Sequence, residues 1–151
     1  MATSTPITSE LARPSLRMGV MLAALIATAH WSGVTAMTAP FSATCALLVL
    51  LPKAPFSTPR TVFVSHLLCV GVGVVCLLLP LASPVIVLLA AWVSIMLMAS
   101  LRVVHAPAVA HAVILSLGKQ DADTYALFAI ATASGLALYS LAARRGTQWS
   151  N

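Results

Sequence analysis

The chain has 151 residues, 60% of them hydrophobic and 7% charged, with a mean hydropathy of +1.02. A soluble domain carries roughly 25% charged residues, so a water-facing surface is excluded and lipid must be the main solvent. The net charge of +5 sits on basic residues scattered at the ends of apolar segments. No basic face forms, which excludes nucleic acid as a partner and fits positive-inside anchoring.

Residues 1–16 are polar and rich in Ser, Thr and Pro, and read as a disordered or interfacial tail. Arg13 and Arg17 then precede an apolar run over 18–39, whose 22 residues are enough to span a bilayer. The small residues at 36–39 leave signal-peptide cleavage open as an alternative. Three further runs, 62–79, 84–101 and 124–143, are also long enough to cross. They and the first run carry the small-residue pairs Ala23/Ala27, Gly71/Gly73 and Ala131/Gly135, which permit close helix contact and a homo-oligomer. Asp121 or Asp123 is placed to cap the last helix, and Arg144 with Arg145 suits its C-terminal end. Cys69 and Cys76 lie about 10 Å apart on one helix, too far for a disulfide, and Cys45 is equally apolar in setting.

Two apolar runs, 41–51 and 108–117, are too short to span as regular helices. Each follows an Ala-Pro pair, Ala39-Pro40 and Ala106-Pro107, which suits a helix start. A shift of 67 residues superposes these pairs, and with them Ala43 on Ala110 and Leu50 on Leu117. The expected fold is therefore an all-α polytopic membrane protein. It has four long transmembrane helices plus two short Pro-started helices, arranged as two internal repeats of about 67 residues, 18–80 and 84–145. The transmembrane domain runs over 17–145, followed by a tail over 146–151.

The short helices are either re-entrant or crossing. Re-entrant helices put Arg13, Arg17, Arg144 and Arg145 inside and Lys53, Arg60, Arg102 and Lys119 outside, a tie. Crossing helices leave only Lys119 outside. The positive-inside rule favours six crossings with both termini cytoplasmic, whereas the length of the short runs argues the other way.

Proline-broken short helices in matching positions point to a transporter site near the midplane, where their free N–H groups suit an anion. Pro40, Pro107 and Ala108 mark these helix starts. Arg102 and His105, three residues apart, are placed to share a helical face and supply a fixed and a titratable charge. The alternative is that Arg102 snorkels to the interface and His105 caps a carbonyl. Ser42 and Thr44, with Thr38, supply neutral donors at the other start. His111, six residues past His105, does not share its face on a continuous helix, and turns to the cavity or to a neighbouring hydroxyl. His66 reads as a hydrogen bond across helices or, with His111, as a second-rank residue of the substrate site. His30 is assigned no role.

No catalytic constellation stands out. The carboxylates are Glu10, Asp121 and Asp123, none within an apolar segment, and there is no phosphate loop, metal-binding CxxC or serine elbow. No enzyme activity, metal or cofactor is expected. Haem is the one cofactor that four histidines in a helical bundle leave open.

Two stretches resemble the HPP family of small integral membrane proteins, named for a His-Pro-Pro motif. One is PFSATCALLVLLPKAPFSTPRTVFVSHLLCVGVGV over 40–74, with Pro59-Arg60 and His66 on the family's Pro-Arg pair and histidine. The other is RVVHAPAVAHAVI over 102–114, similar to the stretch around His-Pro-Pro. Ala106 replaces the motif's first proline, Val109 a glycine and His111 a threonine. Ser42 replaces a glycine, and Val64-Ser65 a Gly-Gly pair. The family is described as having four transmembrane helices, and some members are implicated in nitrite transport. The resemblance implies a transporter or channel for a small inorganic anion such as nitrite; the expected location is a bacterial inner membrane. The alternative is a non-transporting membrane protein, either a haem-binding redox subunit or an assembly or signalling partner.

Overall fold

The computed structural model describes residues 7–146, and among them every regular element is helical. The helices are α1 (Ile7–Ser32), α2 (Thr38–Leu50), α3 (Pro59–Leu77), α4 (Ser83–Ser100), α5 (Val109–Ser116) and α6 (Ala122–Gly146). Single 3-10 turns, Thr35–Met37 and Ala106–Ala108, lead into α2 and α5, and a third, Pro55–Ser57, precedes α3. By length and composition, α3, α4 and α6 can each cross a membrane. The protein is an integral membrane protein with shorter apolar helices packed among its spans.

Three boundaries differ from the sequence reading. First, α1 begins at Ile7, inside the stretch read as a tail, because Glu10, Leu11 and Ala12 favour helix and Pro14 does not end it. The tail's first six residues, and 147–151 at the other end, lie outside the described residues. Second, the run over 18–39 is not one span. Gly33 takes φ +74°, a left-handed conformation that stops α1, and the remainder joins the next element. The first short segment therefore extends over 35–50 and reaches roughly 25 Å, twice the second's α5. Third, the short helical segments begin slightly ahead of the apolar runs, with each proline in the first turn of its segment as expected. Pro40 is the third residue of α2, and Pro107 lies in the 3-10 turn ahead of α5.

Helix α3 is the central element. Thr58 caps it, accepting the Thr61 N–H at 3.1 Å, and Pro59 opens its first turn. It packs most extensively against α5 and α6 and also against α4. On one side Val62 and Val70 join a core with Phe41, Leu48, Ala129 and Ala133; on the other Cys69 and Cys76 join Ala90, Met98 and Ala112. Helix α4 buries Ile86, Ala90, Ser94 and Met98, one residue per turn, while Val85, Leu88, Trp92 and Ile95 are exposed. That stripe sorts the lipid-facing side from the protein-facing side. All three cysteines are buried and free.

Of the small-residue pairs, Gly73 makes a close approach. A Cβ there would sit 2.7 Å from Leu115 Cβ and 3.0 Å from Ala112 Cα, so α3 and α5 touch backbone to backbone. Gly71 and Gly135 have nothing within 4 Å of that position. Asp121 caps α6, accepting the Thr124 N–H at 2.9 Å. Hydrogen bonds from the Thr124 side chain and backbone hold its carboxyl below its ordinary range. The cap is therefore present above the ordinary carboxylate pKa and is lost as pH falls through the lowered one.

Long-range bonds place three loops on one face. Arg144 Nη1, near the end of α6, donates to Pro52 O at 3.0 Å and Ala54 O at 3.3 Å, and Ser140 Oγ donates to Ser57 O. His105, ahead of α5, bonds Phe56 O. These bonds bring residues 52–57 and 140–144 together on one side of the bundle. Segment 105–118 runs alongside α3 in the same direction, from Phe56 at one end to Leu77 at the other.

Candidate functional site

Five side chains from four parts of the chain meet in one hydrogen-bonded line. Tyr125 Oη, on the fourth residue of α6, lies 2.7 Å from His111 Nδ1 on α5. His111 Nε2 is 2.8 Å from His66 Nδ1 on α3. His66 Nε2 is 3.1 Å from Thr44 Oγ1 on α2, and Thr44 Oγ1 is 3.0 Å from His105 Nε2. His105 Nδ1 ends the line on Phe56 O at 2.8 Å. All five side chains are buried, none exposing more than 1% of its surface. Phe41 covers two of the rings, its centroid 4.6 Å from His66 and 4.7 Å from His111.

The Phe56 carbonyl can only accept, and this orders the neutral chain. His105 must carry its hydrogen on Nδ1, so its Nε2 accepts from the Thr44 hydroxyl. Thr44 then accepts from His66 Nε2–H, His66 Nδ1 accepts from His111 Nε2–H, and His111 Nδ1 accepts from the Tyr125 hydroxyl. Each hydrogen is used once, every ring nitrogen has a partner, and all partners are neutral. Buried polar groups in lipid surroundings need such pairing.

Several sequence candidates converge here. Thr44, His66, His105 and His111 are joined directly, and buried Ala108 and half-buried Pro107 hold the turn that aims His105. Pro40 O, 3.0 Å from Thr44 Oγ1, is a second acceptor for the single Thr44 hydrogen and goes without it when Thr44 donates to His105. His105 and His111 do not touch; they join the line through Thr44 and His66, and the chain between them is a 3-10 turn followed by α5. His105 also bonds a carbonyl, as the alternative reading had it. Ser42 and Thr38 turn instead to Ala39 O and Thr35 O of their own segment, so their hydrogens are spent locally. His30 is exposed.

Arg102 does not reach the cluster. It is exposed, lies outside any helix and takes φ +55°, so it shares no helical face with His105. Arg102 N bonds Ala99 O at 3.1 Å and Val103 N bonds Met98 O at 2.9 Å, a Schellman closure of α4 with Arg102 in the position that glycine prefers. Its charge suits the C-terminal end of that helix. Replacing Arg102 by glycine is expected to raise the melting temperature by about 2–4 °C, since a left-handed non-glycine residue costs roughly 1 kcal/mol. A lower melting temperature would mean that the side chain holds a contact the fold needs.

Two participants were missed by sequence reasoning. Tyr125 sits in line with the small buried residues Ala129 and Ala133, a phenol on the protein-facing side of an apolar helix, and that was the available signal. The Phe56 carbonyl has no signature in sequence. A separate apolar cavity of about 380 Å³, lined by residues such as Leu25, Thr28, Cys45 and Leu136, lies between α1, α2 and α6 and does not include the histidines. Among the described residues no group of three or more His, Cys, Asp or Glu is arranged to hold a metal ion.

Fold and cluster together define a polytopic helical membrane protein with an imidazole–hydroxyl chain buried among its short and long helices. The chain belongs to the HPP family, whose transmembrane region matches residues 5–147. No curated protein and no solved structure matches the chain.

Proposed function

We propose that the protein carries a small inorganic anion, nitrite being the candidate, across a bacterial inner membrane. The site is formed by His66, His105, His111 and Thr44, where α2 and α5 meet. One observation carries this reading: Thr44, on the first short helix, bridges His66 and His105, joining the chain's two halves through side chains able to donate to an anion. The N-terminal turns at Pro40 and Pro107–Ala108 add backbone N–H groups nearby. Arg102 is left outside the site as the cation of the α4 terminus.

The order of long helix, 3-10 turn, short helix and long helix occurs twice, with an additional 3-10 turn ahead of α3 in the first half. Bonds linking the loop after α2, the stretch before α5 and the end of α6 support six crossings, with these loops and both termini cytoplasmic. The two halves are then inverted repeats, and the anion reaches the cluster when one half moves against the other.

The test is anion uptake by proteoliposomes, with nitrite, nitrate, formate and chloride offered in turn. His66→Gln is expected to cut uptake by about tenfold or more, the effect of losing a hydrogen bond to a charged group at ~1.5–3 kcal/mol. Uptake unchanged by that substitution would remove the cluster from the pathway. The rival reading, a non-transporting membrane protein, is favoured by the complete pairing of the ring nitrogens. It prevails if folded protein moves none of the four anions.

A further inference from the structure

We infer that the anion crosses together with one proton held on the imidazole–threonine chain, so that transport is electroneutral and selects monovalent anions. The inference rests on the transport reading above and deepens it.

The argument starts from charge. An anion at this depth needs a counter-charge, and among the described residues none of the groups facing the cluster carries a fixed one. The groups facing the cluster are Thr44 from α2, His66 from α3, His105 before α5, His111 from α5 and Tyr125 from α6. The buried thiols of Cys45 and Cys69 lie in the flanking apolar clusters. Arg102 is exposed, Asp121 is exposed at the start of α6, and Arg144 bonds the carbonyls of 52 and 54. The positive charge must therefore arrive as a proton on an imidazole.

The geometry accommodates that proton without leaving a donor or acceptor unpaired. A proton taken up at His105 Nε2 forms one N–H bond there. Thr44 then turns its O–H from His105 to Pro40 O, 3.0 Å away, and accepts from both His105 and His66. No other bond in the line changes. A proton entering at His111 Nδ1 reaches the same residue by relay, but it displaces the Tyr125 hydroxyl hydrogen from its acceptor, so entry at His105 is the route that keeps every group paired. His111 Nε2–H passes to His66 Nδ1, His66 Nε2–H to Thr44, and the Thr44 hydroxyl hydrogen to His105 Nε2. Beyond the incoming bond, three bonds to hydrogen break and three form.

Two features limit the load to one proton. Neighbouring ring centroids are 4.9 and 5.2 Å apart, so a first charge repels a second. The line also ends on a peptide carbonyl, which accepts a hydrogen bond but does not carry a proton onward. The chain therefore stores a proton for exchange when the halves move and does not conduct one through.

The experiment uses full-length protein in liposomes with a pH dye inside and the voltage clamped by potassium and valinomycin. Nitrite is the probe, and uptake by protein-free vesicles is subtracted. One internal proton is expected per anion, with accumulation independent of voltage. For an uncoupled monovalent anion, a change of 100 mV alters accumulation about 50-fold. Accumulation that follows voltage, without internal acidification, overturns the coupling and leaves transport standing. Absence of protein-dependent uptake overturns both. Thr44→Val, which removes the hydroxyl and keeps the shape, is expected to lose acidification and uptake together, whereas Thr44→Ser keeps them. A folded valine variant that still takes up one proton per anion would remove the threonine from the chain.

Discussion

Exchanging His66 for alanine is expected to destabilise the protein by of the order of 4 kcal/mol, the largest effect of any single side chain in the cluster. The ring is 1% exposed, packs on Phe41 at 4.6 Å and makes two of the line's bonds. Its removal leaves a cavity between α2, α3 and α5, and it strands the His111 Nε2–H donor. At about 2–4 °C per kcal/mol for a chain of this size, the melting temperature in detergent should fall by roughly 10 °C. Glutamine at the same position offers one amide donor and one acceptor. It should recover much of the melting temperature, while anion uptake stays about tenfold or more below that of the parent. That split separates a histidine that only holds helices together from one that also handles charge. Equal recovery of both would assign His66 a purely structural role.

Introducing valine at Gly73 should be nearly as damaging, for a different reason. Its Cβ would meet Leu115 Cβ at 2.7 Å and the Ala112 backbone at 3.0 and 3.1 Å, and backbone does not swing aside as a side-chain tip does. Helix α5 must retreat, at a cost of about 2–3 kcal/mol for overpacking. The neighbour of Ala112 is His111, so the retreat also opens the 2.8 Å bond to His66. Gly71→Val is the matched control. With nothing within 4 Å, it should stay within about 0.5 kcal/mol of the parent. Equal melting temperatures for the two variants would show that the close approach contributes nothing.

Both substitutions act through contacts that no local pattern announces. His66 and His111 are 45 residues apart, and Thr44 and His105 are 61 apart. Spacings of that size carry no information about facing, because they depend on how α3, α5 and α2 cross. Arg102 shows the converse. A charge in apolar sequence reports that something costly is present, but not where it points. The left-handed turn at the end of α4 directs it outward.

What the sequence determined by itself is the solvent and most of the helices. Sixty per cent apolar residues and scattered basic ends require lipid, and α3, α4 and α6 lie within a few residues of the apolar runs. Asp121 acts as a local helix start, as its place before the last apolar run indicates, because capping depends on a few adjacent residues. Tertiary structure alone decided the rest. It divided the run over 18–39 at Gly33, gathered three histidines into one line, and aligned their hydrogens through the Phe56 carbonyl. The reason is physical. Burial and capping are properties of a segment, whereas the pairing of buried polar groups is a property of surfaces that meet only after the helices have packed.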